Sequence, residues 1–279
     1  MAGEASFLDV PYSLSGETAA GQASTARTLD VYLPSGPPAP LVVFVHGGGW
    51  RQGDKGVGRK VAHTFTADGY VFASVNYRLL PEATVTDMVA DITDAIGFLL
   101  ENAEIYNIDA TRLGLMGHSA GGHLTALIAS HPDALRTAGV PPEWLRALVL
   151  LDGVAFDVEN GIPRNRGLLR AFGEDPAGWA ELSPVARILA GAKLPPVLIA
   201  YGLDRPDTEW QACRLAQALG ESGEEAMLTE YDKRHGQFLL DLGDPRDPLA
   251  ANVLDFLQGA LFVQGSDSDE QQGFPTACE

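Results

Sequence analysis

The chain has 279 residues, of which 46% are hydrophobic, and its formal net charge is −18. This apolar content is ordinary for a globular domain with a sizeable core, and no apolar run reaches the roughly 18 residues of a membrane-spanning helix. Nucleic acid and anionic membrane surfaces need clustered Lys and Arg, so the charge argues against both as partners and weakly disfavours polyanionic substrates.

Strand-like and helix-like segments alternate along the chain. The predicted strands are residues 6–13, 27–33, 41–46, 70–76, 111–116, 145–152, 195–201 and 226–231, and the first two are expected to pair antiparallel at a sheet edge. The predicted helices are residues 57–68, 84–102, 207–222 and 247–262, together with one that follows residue 119. This order predicts an α/β fold with a mostly parallel sheet. The helix at 84–102 is expected to expose an acidic face formed by Asp87, Asp91 and Asp94.

A glycine-rich motif, His46-Gly47-Gly48-Gly49-Trp50, directly follows the apolar strand at 41–46. Three consecutive glycines lose much backbone entropy on folding, so they indicate bare N–H groups that must approach a ligand closely. The oxyanion formed during acyl transfer needs such donors. We therefore predict an oxyanion hole built from the N–H groups of Gly48, Gly49 and Ala120. The alternative is a glycine-rich turn without a chemical role.

Residues 117–121 read Gly-His-Ser-Ala-Gly, a G-x-S-x-G pentapeptide between a strand-like run and a segment with helix formers at helical spacing. So tight a strand–turn–helix connection forces the central residue into a strained conformation, and flanking glycines avoid collisions with backbone. The turn lifts Ser119 to the N-terminal end of a helix, where the dipole favours developing negative charge. Ser119 is thus the candidate nucleophile.

The two motifs resemble those of the α/β-hydrolase fold family, over roughly residues 25–262. The chain is most similar to the branch with an H-G-G-G oxyanion loop, which contains hormone-sensitive-lipase-like carboxylesterases and feruloyl-esterase-like relatives. Trp50 completes an H-G-G-x-W variant that also resembles the arylformamidases that open N-formylkynurenine. The resemblance implies an eight-stranded sheet flanked by helices, with a small lid insertion.

A serine hydroxyl is a weak nucleophile until an oriented base takes its proton. In this fold the triad follows the chain order Ser, Asp or Glu, His, and among the six histidines only His235 lies both after Ser119 and past the penultimate strand. The predicted acid is Asp204, which follows the strand at 195–201 at the sheet edge where ligands bind. Asp207 is its nearest competitor, although a carboxylate at a helix start is more often a cap.

Residues 155–183 interrupt the alternation, and the resemblance implies that they form a lid over the nucleophile. The side chains expected to line the substrate pocket are Trp50, His118, Phe156, Phe172 and Trp179. The N-terminal 40 residues are too few for the helical cap that many hormone-sensitive-lipase-like enzymes carry. A more open site that accepts short acyl groups is therefore expected.

The leading interpretation is a serine hydrolase that cleaves small carboxylic esters through an acyl-enzyme. The alternatives are an arylformamidase-type amide hydrolase and a non-catalytic ligand-binding member of the fold. No H-x-x-x-H pair or calcium-type acidic cluster occurs, so we expect no metal and no other cofactor. The expected partner is a small-molecule ester, and a homodimer is possible.

The chain ends and the cysteines give the remaining expectations. The N-terminus lacks the charged start and apolar core of a secretory signal, so either the protein stays inside the cell or a leader has been removed. Cys213 lies in a helix-like segment and Cys278 in a polar tail, so we expect no structural disulfide and a cytoplasmic location. Residues 265–279 are predicted to form a flexible tail after a single domain at 1–264.

Overall fold

A computed structural model describes residues 6–12 and 25–262. Its described residues form an eight-stranded sheet with the order β1-β2-β4-β3-β5-β6-β7-β8. The strands are β1 Ser6–Pro11, β2 Thr28–Tyr32, β3 Ala39–Val45, β4 Val71–Val75, β5 Ile108–His118, β6 Leu145–Leu151, β7 Val197–Gly202 and β8 Ala226–Tyr231. β2 pairs antiparallel with β1 and β4, and the other neighbours are parallel. The prediction of an α/β fold with a mostly parallel eight-stranded sheet is confirmed.

Helices cover both faces of this sheet. They are α1 Arg59–Ala67, α2 Val85–Glu101, α3 Ala120–Ala129, α4 Pro132–Thr137, α5 Val158–Gly161, α6 Leu169–Phe172, α7 Pro184–Leu189, α8 Pro206–Glu221, α9 Gln237–Asp241 and α10 Pro248–Phe262. Short 3₁₀ turns occur at Thr25–Arg27, Lys55–Val57, Pro142–Trp144, Arg166–Leu168, Pro176–Gly178 and Ala180–Leu182. The core on one face includes α2, α3, α7 and α8, and the core on the other includes α1, α9 and α10.

The central strand β3 shows why the sheet is covered on both sides. All seven of its residues are buried. Val43 and Val45 belong to one core and Val42 and Phe44 to the other, as the two-residue period of a strand requires. An uninterrupted apolar run is typical of such a doubly covered parallel strand.

The predicted acidic face of α2 is wrong at one position. Asp87 lies in the first turn, where it forms a capping box with Thr84. Asp91 is buried, however, and it accepts hydrogen bonds from the Arg78 side chain at 2.7 and 2.8 Å and from its backbone N–H at 3.0 Å. The charge of Asp91 is tolerated inside because a guanidinium neutralises it.

Cys213 provides a second correction, because it is disulfide-bonded in the structure. The expectation that no structural disulfide occurs is therefore wrong for Cys213, while Cys278 lies outside the described residues. The argument for a reducing compartment loses its basis, and the cytoplasmic location stays a prediction.

Two further predictions concern the termini and the membrane. Among the described residues, no helix is long and apolar enough to cross a membrane. The single-domain division at 1–264 stays a prediction, and the predicted tail at 265–279 lies outside the residues that the structure describes.

Candidate active site

Ser119 occupies the sharp turn between β5 and α3 with φ 56° and ψ −121°. A Cβ atom at Gly121 would lie 2.1 Å from the Val45 carbonyl oxygen, and one at Gly117 would lie 2.2 Å from the Gly121 carbonyl oxygen. Neither position therefore tolerates a side chain. Because a non-glycine residue in such a conformation costs about 1–3 kcal/mol, the surrounding turn must hold Ser119 in place.

The glycine-rich loop after β3 lies directly against this turn. A Cβ atom at Gly47 would lie 2.8 Å from the Cβ of Ser119. His46 fixes the start of the loop, since its Nδ1–H donates to the Gly47 carbonyl at 2.8 Å and its ring stacks on Tyr77 at 4.5 Å. The Tyr77 hydroxyl in turn donates to the His46 carbonyl at 2.8 Å. The contacts of His46 are therefore made within the loop and with Tyr77.

Ser119, Gly48 and Gly49 line one cavity of about 500 Å³. Gly48 has φ 122° and Gly49 has φ 61°, so both adopt backbone that favours glycine. Within the described part of the chain, the N–H groups of Gly48, Gly49 and Ala120 donate to no backbone acceptor outside the regular elements. The first N–H groups of a helix, here that of Ala120, are unpaired by construction. The loop and the turn thus bring N–H groups without backbone acceptors to the edge of the Ser119 cavity.

His235 lies after β8 and is oriented by a buried carboxylate. Its Nδ1–H donates to Oδ2 of Asp152, the residue that follows β6. The imidazole is 31% exposed, whereas the Asp152 side chain is fully buried. His118, next to Ser119, donates from Nε2 to the His235 carbonyl at 3.0 Å, and the two rings lie 4.5 Å apart. These contacts place His235 beside the turn that contains Ser119.

The environment of Asp152 favours its ionised form. Burial opposes ionisation, but hydrogen bonds from His235, the Thr208 side chain and the Gly202 N–H outweigh it, so the pKa of Asp152 is lowered. The Gly202 N–H donates to Oδ1 at 3.1 Å. Asp152 is therefore a carboxylate with both oxygens engaged, one of them by His235.

Asp204, predicted from the sequence as the partner of His235, does not hold that position. Asp204 and Asp207 are both exposed, and Asp207 accepts instead from Arg205 at 3.0 Å. The physical reason is depth: Asp152, directly after β6, is fully buried, whereas Asp204, two residues past the end of β7, is exposed to solvent. Asp152 was missed although a carboxylate directly after the apolar run at residues 147–151 was a visible signal.

The predicted pocket residues are only partly brought together. Trp50 lines the Ser119 cavity, and the other four do not. Phe156 is buried against Gly153, at which a Cβ atom would lie 2.2 Å from its ring. Phe172 packs edge-on against Trp50 at 5.2 Å, and the Trp179 indole donates to a backbone carbonyl at 3.2 Å. Of these aromatic side chains, Phe172 supports the cavity wall from behind through its contact with Trp50.

His118 and His123 are buried close to this region. Burial, together with the nearby His235, lowers the pKa of His118 to about 4. Burial also lowers the pKa of His123 to about 4, although its Nε2–H donates to the Leu182 carbonyl at 2.8 Å. Both rings are neutral at physiological pH, and both are already committed to backbone carbonyls.

The cavity is also lined by arginines that were not predicted from the sequence. Arg51, Arg170 and Arg205 line it together with Asp207. A second cavity of about 370 Å³ adjoins it and is lined mainly by apolar surface that includes Leu168 and Trp210. The two cavities share the lining residues Val154, Asn165, Leu168 and Asp207.

The strand order, the strained serine between β5 and α3, and the histidine after β8 define an α/β-hydrolase fold. The chain has the α/β-hydrolase fold, and the family model described as BD-FAE matches its residues 29–138. Lactobacillus rhamnosis esterase B is a structural neighbour with a TM-score of 0.74 and 21% identity, over 91% of this chain and 86% of that one.

Curated relatives extend this similarity. The probable isoprenylcysteine alpha-carbonyl methylesterase ICME of Oryza sativa is 32% identical over 81% of this chain and 59% of its own length. Kynurenine formamidase of Drosophila melanogaster is 32% identical over 42% of this chain and 37% of its own length. The chain thus spans 59% of the length of the first of these relatives and 37% of the second.

Proposed function

We propose that this chain is a serine hydrolase that cleaves small carboxylic esters through an acyl-enzyme. The observation that carries the proposal is the strained Ser119, which shares a cavity with the amides of Gly48 and Gly49. The names of its relatives, which include methylesterases and esterases, support ester hydrolysis. Ser119 is the nucleophile, His235 the general base and Asp152 the acid of the triad.

The first half of the reaction transfers the acyl group to the protein. His235 Nε2 takes the proton of the Ser119 hydroxyl as Oγ attacks the carbonyl carbon of the ester. The N–H groups of Gly48, Gly49 and Ala120 hold the resulting oxyanion, where preorganised donors are worth most. His235 then gives its proton to the leaving alcohol as the C–O bond breaks.

The second half releases the acid. Water enters, His235 Nε2 takes one of its protons, and the hydroxide oxygen attacks the acyl carbon. The Ser119 oxygen leaves and regains the proton from His235. Each turnover consumes one ester and one water and returns the protein unchanged.

Asp152 acts by fixing one tautomer of His235. Because Nδ1 carries the proton shared with the Asp152 carboxylate, Nε2 is left as the acceptor that faces the reaction. The fully buried carboxylate also stabilises the imidazolium that forms when the serine proton is taken. The Gly202 and Thr208 hydrogen bonds keep Asp152 itself ionised.

Size limits the acyl group. Residues 155–183 form a small lid in this proposal, and their short helices contribute Leu168, Arg170 and Ala171 to the cavity wall. A longer acyl chain gains about 0.8 kcal/mol per methylene only where a groove can bury it. We therefore expect rates to be highest with short acyl groups.

An arylformamidase activity is the second candidate. It is favoured by Trp50 in the cavity wall and by the similarity to kynurenine formamidase. The same residues serve, with His235 protonating an amine instead of an alcohol. A formyl group is the smallest acyl group, so it fits the same oxyanion site.

The deciding experiment compares p-nitrophenyl acetate, p-nitrophenyl butyrate and N-formylkynurenine as substrates of the wild-type protein and of Ser119→Ala. Turnover of the two esters that depends on Ser119 supports the leading proposal. Higher kcat/KM for N-formylkynurenine supports the formamidase, and absence of turnover on all three supports a non-catalytic ligand-binding role.

A further inference from the structure

The cavity that contains Ser119 has a charge opposite to that of the whole protein. The chain carries 37 acidic and 19 basic residues. Yet among the described residues that line the cavity, three are arginines, Arg51, Arg170 and Arg205, and one is acidic, Asp207. An excess of positively charged side chains at this cavity of an acidic protein favours an anionic ligand.

The arginines differ in what they already bind. Arg205 donates to Asp207 at 3.0 Å, so this pair is neutral overall. Arg51 and Arg170 are exposed, and neither guanidinium has a hydrogen bond or an ion pair within the part of the chain that the structure describes. Two uncompensated guanidinium groups therefore remain at the cavity.

These two groups come from separate segments. Arg51 directly follows the oxyanion loop, and its backbone N–H donates to the Gly48 carbonyl at 3.3 Å. Arg170 lies on α6, within residues 155–183. Because each contributes to the wall from its own segment, a ligand in the cavity can meet both. A planar guanidinium recognises a carboxylate through two parallel N–H bonds.

The adjoining cavity adds an apolar component. Trp210 contributes to its wall, and the guanidinium of Arg164 stacks over the Trp210 ring at 4.3 Å. Its lining continues into the Ser119 cavity through the shared residues Val154 and Leu168. One ligand can therefore place an apolar or aryl group near Trp210 and a charged group near the arginines.

We infer that the substrate of Ser119 is an ester that bears a free carboxylate, which Arg51 and Arg170 bind while its apolar part extends toward Trp210. This inference rests on the proposed function. The negative net charge predicts weak repulsion of anions at a distance, but the charged residues that line the cavity carry a net positive charge. The carboxylate can belong to the leaving group or to the acyl group, and each has its own substrate pair.

The first substrate pair is 4-acetoxybenzoate and 4-acetoxybenzamide, in which the leaving group is anionic or neutral. The second is p-nitrophenyl hydrogen adipate and p-nitrophenyl hexanoate, in which the acyl group is anionic or neutral. For each pair, the ratio of kcat/KM for the anion to that for the neutral ester is compared between proteins, so that intrinsic reactivity cancels. The proteins are the wild type, Arg51→Gln, Arg170→Gln, the double variant and Arg166→Gln.

We expect the ratio for one pair to fall about three- to fivefold in each single variant and further in the double variant, as for partly exposed charge pairs. It should also fall as salt is added to the wild type. Arg166 is the matched control, because it is exposed in the same segment but lines neither cavity. A ratio that stays at the wild-type value in the double variant, for both pairs, would overturn the inference while leaving ester hydrolysis intact.

A binding measurement separates this inference from the proposed function. Titration calorimetry of Ser119→Ala with 4-hydroxybenzoate and 4-hydroxybenzamide reports on the arginines without turnover. We expect the carboxylate to bind more tightly than the amide, and the difference to disappear when Arg51→Gln and Arg170→Gln are added. Equal affinities for the two compounds, together with unchanged kcat/KM ratios, contradict carboxylate recognition.

Discussion

The Nδ1–H of His235 donates to Oδ2 of Asp152, across 83 residues of sequence. Asp152 follows β6, the strand next to the one that carries Ser119. Its carboxylate is fully buried and also accepts from the Gly202 N–H. This pairing preserves the chain order Ser, Asp, His while moving the acid one strand closer to the nucleophile.

Asp152→Asn should lower kcat for p-nitrophenyl butyrate by about three to four orders of magnitude, because an amide cannot hold the productive tautomer of His235. Asp204→Asn is the matched control, since Asp204 is an exposed carboxylate after the neighbouring strand, and it should retain most of the activity. The two variants are compared by steady-state kinetics after circular dichroism has confirmed folding. If Asp204→Asn is the inactive one, the pairing with Asp152 is not the one used in catalysis.

The sequence predicted the sheet and the nucleophile turn because both depend on local patterns. An apolar run such as residues 41–46 is typical of a buried strand. The predicted bounds of the strands and helices differ from the observed ones mostly by one to three residues. β5 extends further, from Ile108 to His118, because its ends pair with β3 and β6. Pairing partners of this kind are not visible in a single sequence.

The acid and the pocket walls could not be predicted in the same way. Asp152 and Asp204 both follow a parallel strand at the same sheet edge, and only their burial distinguishes them. Apolar content likewise led to Phe156 as a pocket residue, although it packs behind Gly153. Depth and side-chain direction depend on tertiary contacts, so the sequence left both undetermined.

Gly48→Ala should lower kcat by about two to three orders of magnitude, the loss expected when an oxyanion donor is displaced. At φ 122° a Cβ atom would lie 1.9 Å from the Gln52 carbonyl oxygen, so the loop must shift. Gly49→Ala is the control, because no atom lies within 4 Å of its Cβ position and φ 61° is accessible to alanine at modest cost. Equal losses in both variants would contradict a specific role for the Gly48 position.

Asp91→Ala should lower the free energy of unfolding by about 3 kcal/mol, because it leaves the Arg78 guanidinium without its buried partner. Asp94→Ala, which removes an exposed carboxylate one turn further along α2, should change it by less than about 0.5 kcal/mol. Urea denaturation at pH 7 measures both. A small effect at Asp91 would mean that solvent compensates the arginine.

Stability should fall as the pH falls from 7 to 5. The pKa of His118 and of His123 is lowered by burial from 6.5 to about 4 in the folded protein. Between these values the unfolded chain binds more protons than the folded one, so each histidine reduces the free energy of unfolding by about 2 kcal/mol over that range. In His123→Gln the decrease measured by urea denaturation should be smaller by that amount. An unchanged pH dependence would mean that His123 does not titrate in this way.

The central claim is that Ser119 is a nucleophile activated within its turn, and covalent labelling tests it most directly. Wild-type protein and Ser119→Ala are treated with a fluorophosphonate, and the intact masses and tryptic peptides are measured. We predict one adduct on Ser119 of the wild-type protein, formed together with loss of p-nitrophenyl butyrate hydrolysis, and no adduct on Ser119→Ala. Labelling of another residue, or ester turnover that persists in Ser119→Ala, would contradict the proposed mechanism.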